Sequence, residues 1–266
     1  MSPDRPLSDR VVLVTGASRG IGEAIARRLA REGAAVAVTA RTVEEGDHRF
    51  AGSITSTVRS IRQAGGTAIA VPADLSRSED REQLVETVSE QLGPIDVLVN
   101  NAAITYYEPS SDFNLRHWQL MFDVQVLAAF HLSQLVIPGM RAAGAGWIVN
   151  ISSRAAFHPK GPPYRGGPGT VYGMCKAAIE RFTTGLASEL YDSGIAVNVL
   201  SPSGLVITPG VVHHGLDKRT PKDRHEPVEF MAEAAFLLCS CEPASLTGRI
   251  TYSQDLLAEF GVDVGA

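Results

Sequence analysis

Tyr172 and Lys176 form the residue pair whose types and spacing best suit proton transfer. On a helix, a spacing of four places both side chains on one face. A phenol with a pKa near about 10 is a poor acid or base at neutral pH, but an adjacent ammonium favours the phenolate and lowers that pKa. Such a pair suits the interconversion of an alcohol and a carbonyl. Tyr164 is a rival tyrosine, but Pro168 occupies the position that its lysine would need.

The second chemical feature is the glycine-rich stretch Thr15–Gly22, which lies between the apolar run Val11–Val14 and the amphipathic run Ile21–Ala30. A strand, a glycine turn and a helix in this order are typical of a dinucleotide site. Glycines let backbone N–H groups approach a pyrophosphate, and the helix directs its positive N-terminus at that anion. The predicted phosphate-binding residues are Gly16, Ser18, Arg19, Gly20, Ile21 and Gly22. A tight turn without a ligand is the alternative interpretation of the glycines alone.

Two arginines indicate which dinucleotide this turn would bind. Arg41 follows the second predicted strand, where NAD-binding folds place an acidic residue against the ribose hydroxyls. A guanidinium there suits a 2′-phosphate, and Arg19 adds charge of the same sign. We therefore predict NADP(H) over NAD(H), against the alternative that both arginines are simply exposed. Asp74, which precedes Leu75 after the third strand, could accept a hydrogen bond from the adenine amino group or cap the next helix.

The elements that must position these residues alternate between apolar strand-like runs and helical patterns, which indicates βαβ units. We predict a single-domain doubly wound Rossmann fold (α/β) over residues 1–266. Its seven-stranded, mostly parallel sheet would have the order 3-2-1-4-5-6-7, with helices on both faces. A long helical pattern covers 115–143, which Pro138 should kink or end. Two irregular stretches remain, a Pro/Gly-rich insert at 154–170 and a polar segment at 205–227 that we interpret as a substrate lid.

Bulk properties narrow the class of protein. The chain has 266 residues, of which 44% are hydrophobic and 20% charged, as in a globular α/β domain. Its net charge of −5 argues against nucleic acid and acidic membranes. We find no signal segment and no run long enough to span a bilayer, and three cysteines fit a reducing compartment, so we expect a cytoplasmic protein. The candidate metal ligands lack the spacing of a metal site, so we predict no metal; they are His213, His214, His225, Cys239 and Cys241.

Taken together, these motifs give the chain a resemblance to the short-chain dehydrogenase/reductase family over essentially its whole length. The resemblance rests on the glycine turn, Asp74, the run Asn100–Ala103, Ser153, Tyr172 with Lys176, and the segment from Asn198 through Pro202 to Thr208. The C-terminal part is most similar to the hydroxysteroid-dehydrogenase-like branch. Members of the family transfer a hydride between NAD(P) and alcohols or carbonyls.

The resemblance implies a role for each matching residue. Ser153 would hydrogen-bond the substrate oxygen, and Tyr172 would donate the proton during reduction. Lys176 would lower the pKa of the tyrosine and hold the nicotinamide ribose. The residues implied to line the cofactor and its nicotinamide end are Asn101, Ala102, Ala103, Pro202, Val206 and Thr208. The resemblance also implies a homotetramer, with a dimer next, because helices equivalent to 115–143 and 172–192 pair between subunits in the family.

Three places depart from the family pattern. Gln125 stands where the fourth catalytic residue is usually an asparagine; its longer amide would anchor a proton-relay water with a shifted backbone, or else the relay is impaired. Ser153 and Tyr172 are 19 positions apart (172 − 153), more than is usual, and the extra residues form either a wall of the substrate pocket or a surface excursion at a subunit contact. Ser203 interrupts the usual Pro-Gly pair and could displace the backbone after it.

We therefore expect an NADP(H)-dependent oxidoreductase that interconverts an apolar, medium-sized secondary alcohol and its ketone or aldehyde. The side chains expected around the substrate are Tyr106, Tyr107, Phe157, His158, Tyr164, Val211 and Leu216. The alternative is an NADP-binding regulatory protein with weak or no turnover. Gln125 favours that alternative, whereas the intact Ser153, Tyr172 and Lys176 favour the enzyme.

Overall fold

A parallel β-sheet forms the centre of the computed structural model, which describes residues 5–164 and 167–264. Its strands are β1 (Val11–Thr15), β2 (Ala35–Thr39), β3 (Thr67–Ala70), β4 (Val97–Asn100), β5 (Gly146–Ile151), β6 (Ile195–Ser201) and β9 (Ile250–Tyr252). Two short strands, β7 (Leu205–Val206) and β8 (His225–Glu226), pair with each other in a separate sheet. The main sheet has the order β3-β2-β1-β4-β5-β6-β9, and every neighbouring pair is parallel. The predicted seven-strand order is confirmed.

The helices cover both faces of this sheet. They are α1 (Gly20–Arg31), α2 (Ile54–Gln63), α3 (Ser78–Leu92), α4 (Leu115–Phe122), α5 (Ala128–Ala143), α6 (Thr170–Leu190), α7 (Pro209–His213), α8 (Leu216–Arg219), α9 (Val228–Ser240) and α10 (Ser253–Glu259). Side chains alternate along each strand, so Val12 and Val14 pack in one core with α1, α2 and α9, while Leu13 packs in the other with α3, α5 and α6. Both faces are buried, as a parallel sheet requires.

Pro138 does not end the helix at 115–143, and the expectation that no run is long enough to span a bilayer is wrong. The helix continues through Pro138, because that residue and the carbonyl-bearing Gln134 four positions earlier lie on the exposed side, where water can replace the lost bond. It is also 29 residues long, and an 18-residue window within it has a mean hydropathy of 1.6, so that by length and composition alone it could cross a membrane. A helix packed on a sheet has the same composition, and Leu132 and Met140 are buried in the core.

Candidate active site

The turn between β1 and α1 is pressed against the turn that follows β4. Gly16 has a φ of +62°, and a Cβ atom on it would lie 2.7 Å from Ala102 Cα. A Cβ atom on Gly22 would lie 2.4 Å from Asn101 Nδ2. Side chains are thus excluded from both positions, and the backbone N–H groups of the turn stay accessible to an anion.

Hydrogen bonds hold the two turns together. Thr15 Oγ1 accepts the N–H groups of Asn101 at 2.9 Å and Ala102 at 3.1 Å. Asn101 Nδ2 donates to the carbonyls of Thr15 at 2.9 Å and Gly16 at 3.1 Å. The helix α1 begins without a side-chain cap from Arg19, which leaves first-turn N–H groups for a ligand. This cradle fits a pyrophosphate, as the sequence predicts.

Thr208 brings the 205–227 segment onto this cradle. Its Cγ2 lies only 3.1 Å from the position that a Cβ atom on Gly20 would take. Thr208 also caps α7 by accepting the Val211 N–H at 3.3 Å. Val206, in β7, is buried. Thr208 therefore lies against the glycine turn, whereas the cofactor contact of Val206 stays a prediction.

A second group of side chains gathers where β5 ends. Ser153 caps the short 3₁₀ turn Arg154–Ala156 by accepting the Ala155 N–H at 3.2 Å. The helix α6 packs directly on this turn, since a Cβ atom on Gly173 would lie 2.7 Å from the Ala155 carbonyl oxygen. This contact places Tyr172 beside Ser153, whose hydroxyl is close enough to lower the pKa of the phenol.

The electrostatics of Tyr172 differ from the sequence-based expectation. Burial raises the pKa of Tyr172, the nearby Tyr107 raises it further, and the hydrogen bond with Ser153 opposes them. Burial also lowers the pKa of Lys176 to about 8. The Lys176 amine donates to the Ile151 carbonyl at 3.0 Å and lies 5.5 Å from the centre of the Tyr172 ring. The desolvation of the phenol therefore outweighs any stabilisation of the phenolate by the Lys176 ammonium, and Tyr172 is held as a neutral phenol.

Gln125 lies in a π-helical turn, Asp123–Leu127, between α4 and α5. Its Nε2 donates to the Ile104 carbonyl at 2.9 Å, whereas its buried Oε1 has no partner among the described residues. A cavity of about 10 Å³ adjoins Gln125 and Lys176, which is enough for one water. The extra residue per turn is the kind of backbone shift that the longer amide was expected to need.

Two predicted cofactor contacts have local partners instead. Asp74 Oδ1 accepts the Ser76 N–H at 3.1 Å and the Ser76 hydroxyl at 2.8 Å in a local turn before α3, whose N-cap is Arg77 and not Asp74. Leu75 beside it is buried. Arg19 is bound to the carbonyls of Phe50, Ala51 and Gly52. An adenine contact for Asp74 and a phosphate contact for Arg19 stay predictions.

The aromatic residues expected near the substrate separate into two groups. Phe157 is 51% exposed and Tyr164 is 71% exposed. The Phe157 ring packs on Tyr252, with 5.6 Å between the two ring centres. Tyr107 lies 6.2 Å from Tyr172 and 4.9 Å from His214, measured between ring centres. Only Tyr107 of these three neighbours the phenol in the described structure; residues 165–166 of the predicted insert lie outside the described ranges.

Sequence analysis missed a buried carboxylate that anchors the start of the 205–227 segment. Glu226 is 3% exposed, and its Oε2 accepts the Gly204 N–H at 2.8 Å and Gln254 Nε2 at 3.0 Å. Its Oε1 accepts the Ser253 hydroxyl at 2.5 Å. Ser203 joins the network because its Oγ accepts the Gln254 N–H at 3.0 Å. The residue that interrupts the Pro-Gly pair is thus a structural part of this anchor.

Replacing Glu226 by alanine is expected to destabilise the protein by about 3 kcal/mol, because three donors lose a buried acceptor. The Glu226→Gln variant keeps an oxygen for the Gly204 N–H and should cost less than half as much. Urea unfolding followed by circular dichroism measures both. Equal losses in the two variants would contradict the assignment of Glu226 as an acceptor.

The fold and the site together define a class of protein. The carboxyl ends of β1, β4 and β5 meet at one edge of a parallel sheet, where they place a dinucleotide cradle beside a serine, a tyrosine and a lysine, as in a dinucleotide-dependent oxidoreductase. A family model described as short chain dehydrogenase matches residues 10–217. The chain belongs to the short-chain dehydrogenase/reductase family, and the predicted family membership is confirmed.

Individual relatives agree with this assignment. The ketoacyl reductase HetN of a Nostoc species is 36% identical over 196 residues, which cover 74% of this chain and 63% of that protein. A metagenomic short-chain oxidoreductase solved in complex with NADP is 30% identical, with a TM-score of 0.76 over 93% of this chain and 98% of the other. A blue fluorescent protein from a metagenomic library, solved with NADPH, is 32% identical, with a TM-score of 0.79 over 93% and 97%.

Proposed function

We propose that this chain is an NADP(H)-dependent oxidoreductase that interconverts an apolar ketone and its secondary alcohol, or an apolar aldehyde and its primary alcohol. The observation that carries the proposal is the placement of Ser153, Tyr172 and Lys176 at the sheet edge that also bears the glycine cradle. A neutral phenol at that edge is the proton-donating form that carbonyl reduction needs.

The residues present fit a phosphorylated dinucleotide. Gly16, Gly20 and the N-terminus of α1 would hold its pyrophosphate, and Arg41 at the end of β2 would face a 2′-phosphate. The two related structures that hold NADP and NADPH support this choice. When bound, the nicotinamide supplies the hydride that adds to the carbonyl carbon.

The chain's own groups would manage the proton. Ser153 would orient the substrate oxygen, and Tyr172, which lies beside Ser153, would give that oxygen its proton. Lys176 is one helical turn away, fixed by the Ile151 carbonyl, and its ammonium would stabilise the phenolate as it forms. A water in the cavity between Gln125 and Lys176 would connect the Lys176 ammonium to the Gln125 amide.

Carbonyl reduction is expected to proceed well at neutral pH and to fall as the pH rises through about 8. Burial lowers the pKa of Lys176 to about 8, so above that value the amine is neutral and no longer stabilises the forming phenolate. A kcat/KM profile from pH 6 to 10 measures this. In a Lys176→Arg variant, kcat/KM between pH 8 and 9 should stay at that variant's own value at pH 7. The same fall in both proteins would contradict the role of Lys176.

NADPH oxidation over a panel of ketones and aldehydes, with NADH in parallel, tests the proposal. Turnover of at least one apolar carbonyl with NADPH preferred is the expected result. Tight NADPH binding without turnover of any substrate would instead identify a cofactor-binding regulatory protein.

Assembly and location are part of the same proposal. Leu127, Phe130 and Met174, on the helices expected to pair between subunits, are each 45% to 48% exposed, which supports a homotetramer, or a dimer next. Light scattering that shows a stable monomer would exclude both. The three cysteines carry free thiols, which supports a reducing, cytoplasmic location.

A further inference from the structure

The loop at 42–52, between β2 and α2, is fastened to the glycine turn by Arg19. The Arg19 guanidinium donates to the carbonyls of Ala51 at 2.8 Å, Phe50 at 3.2 Å and Gly52 at 2.6 Å, and to Thr42 Oγ1 at 3.3 Å. Most of its directional donors therefore hold the loop. Only Nη1 of Arg19 takes part in none of these bonds, so a phosphate bound near the end of β2 can use further cations.

The acidic residues of this loop bind the loop's own hydrogen-bond donors. Asp47 Oδ2 accepts the N–H groups of Val43 at 3.2 Å and Glu44 at 2.8 Å. Glu45 Oε2 accepts the Gly52 N–H at 3.0 Å. These carboxylates thus stabilise the backbone of the loop and are not paired with its arginines.

Two arginines remain at the mouth of the site. Within residues 5–164 and 167–264, neither Arg41 nor Arg49 forms an ion pair with a carboxylate. The His48 ring lies among them: burial lowers its pKa, and the charges of Arg19, Arg49 and Arg41 lower it further. Arg41 and Arg49, which have no ion-paired carboxylate among the described residues, favour the binding of an anion.

Arg49 also contacts the 205–227 segment. Its Nη2 lies 3.0 Å from His213 Nε2, and because a guanidinium can only donate, the imidazole nitrogen must accept. Phe50 supports the contact from the side, with ring centres 5.3 Å from His213 and 4.9 Å from His48. One N–H of Arg49 faces the lid, which leaves the others for a second acceptor.

We propose that Arg49 is a second ligand of the cofactor's 2′-phosphate, beside Arg41, and that its bond to His213 lets the bound phosphate hold the lid segment in place. This inference rests on the proposed function, since it assumes that an NADP-type cofactor occupies the cradle. The 2′-phosphate is the anion concerned because the loop follows the strand end where the adenosine ribose of a dinucleotide lies. Retention of the cofactor then depends on the phosphate that distinguishes NADPH from NADH.

Cofactor binding tests the phosphate contact. The Arg49→Gln variant, titrated with NADPH and with NADH at fixed ionic strength, should lose about tenfold in NADPH affinity through one charge-assisted bond, and less than twofold for NADH. Arg59→Gln is the matched control, because Arg59 is exposed on the neighbouring α2 and its loss removes the same charge. Its affinities should change by less than twofold. Equal weakening for both cofactors in Arg49→Gln, or no weakening, would overturn the inference.

Limited trypsin digestion tests the hold on the lid. The lid offers four exposed cleavage sites, Lys218, Arg219, Lys222 and Arg224. Saturating NADPH should slow their cleavage several-fold more than saturating NADH does. The His213→Leu variant should lose this difference and keep its preference for NADPH in binding. Equal protection by the two cofactors in the unchanged protein would overturn the coupling.

The two proposals fail in different ways. If the unchanged protein bound neither NADPH nor NADH, the proposed function and this inference would both be wrong. If it bound NADPH tightly and Arg49→Gln bound it as tightly, only the inference would be wrong.

Discussion

Replacing Tyr172 by phenylalanine is expected to lower kcat/KM for carbonyl reduction by about 10³-fold, within the range usual for a lost general acid. The phenol lies beside Ser153, and burial keeps it protonated, so the variant has no proton to give at that position. NADPH binding should persist, because the glycine cradle is untouched. Stopped-flow or steady-state NADPH oxidation measures the loss.

Tyr107→Phe is the matched control for this variant. Its ring lies 6.2 Å from that of Tyr172, so the substitution removes a second hydroxyl from the same neighbourhood. We expect a loss of less than tenfold from it. A Tyr172→Phe enzyme that kept a tenth or more of its activity would show that another group supplies the proton.

Replacing Gly16 by alanine is expected to destabilise the protein by about 3 kcal/mol and to abolish measurable NADPH binding. The added Cβ atom is unfavourable for two reasons. The backbone there has a φ of +62°, and the atom would lie 2.7 Å from Ala102 Cα, a backbone atom that cannot rotate away. Urea unfolding gives the stability, and titration with NADPH gives the affinity.

Gly215→Ala separates these two causes. Gly215 has a φ of +63°, but a Cβ atom there would meet nothing within 4 Å. The free energy of unfolding of this variant should fall by only about 1 kcal/mol, which is the cost of the backbone conformation alone. Equal destabilisation in both variants would mean that the close approach of the two turns contributes nothing.

The strand order and the location of the site could be predicted from the sequence because both depend on local patterns. Val11–Thr15 followed by the glycines identifies a strand, a turn and a helix, and the spacing of Tyr172 and Lys176 identifies one face of α6. Parallel strands bring their carboxyl ends to one edge, so motifs far apart in the chain become neighbours.

The parts that could not be predicted depend on contacts between distant residues. Glu226 reaches Gly204, Ser253 and Gln254, and nothing in its own neighbourhood in the sequence marks it as an acceptor. The predicted lowering of the Tyr172 pKa is wrong, because the four-residue spacing gives the position of Lys176 but not the desolvation of the phenol. The π-helical turn at Gln125 comes with a hydrogen bond from its amide to the distant Ile104 carbonyl, a contact that a periodic pattern does not contain.

Arg19 recognises the 42–52 loop through carbonyl oxygens that every amino acid possesses. The anchorage therefore does not depend on the side chain of residue 51, which can be exchanged without releasing the loop. Phe50 and Gly52 are constrained, since the Phe50 ring contacts His48 and His213, and a Cβ atom on Gly52 would lie 2.5 Å from the Ser18 carbonyl oxygen. Position 51 is accordingly where engineering, or evolutionary drift, can change this edge of the cleft with the smallest loss of stability.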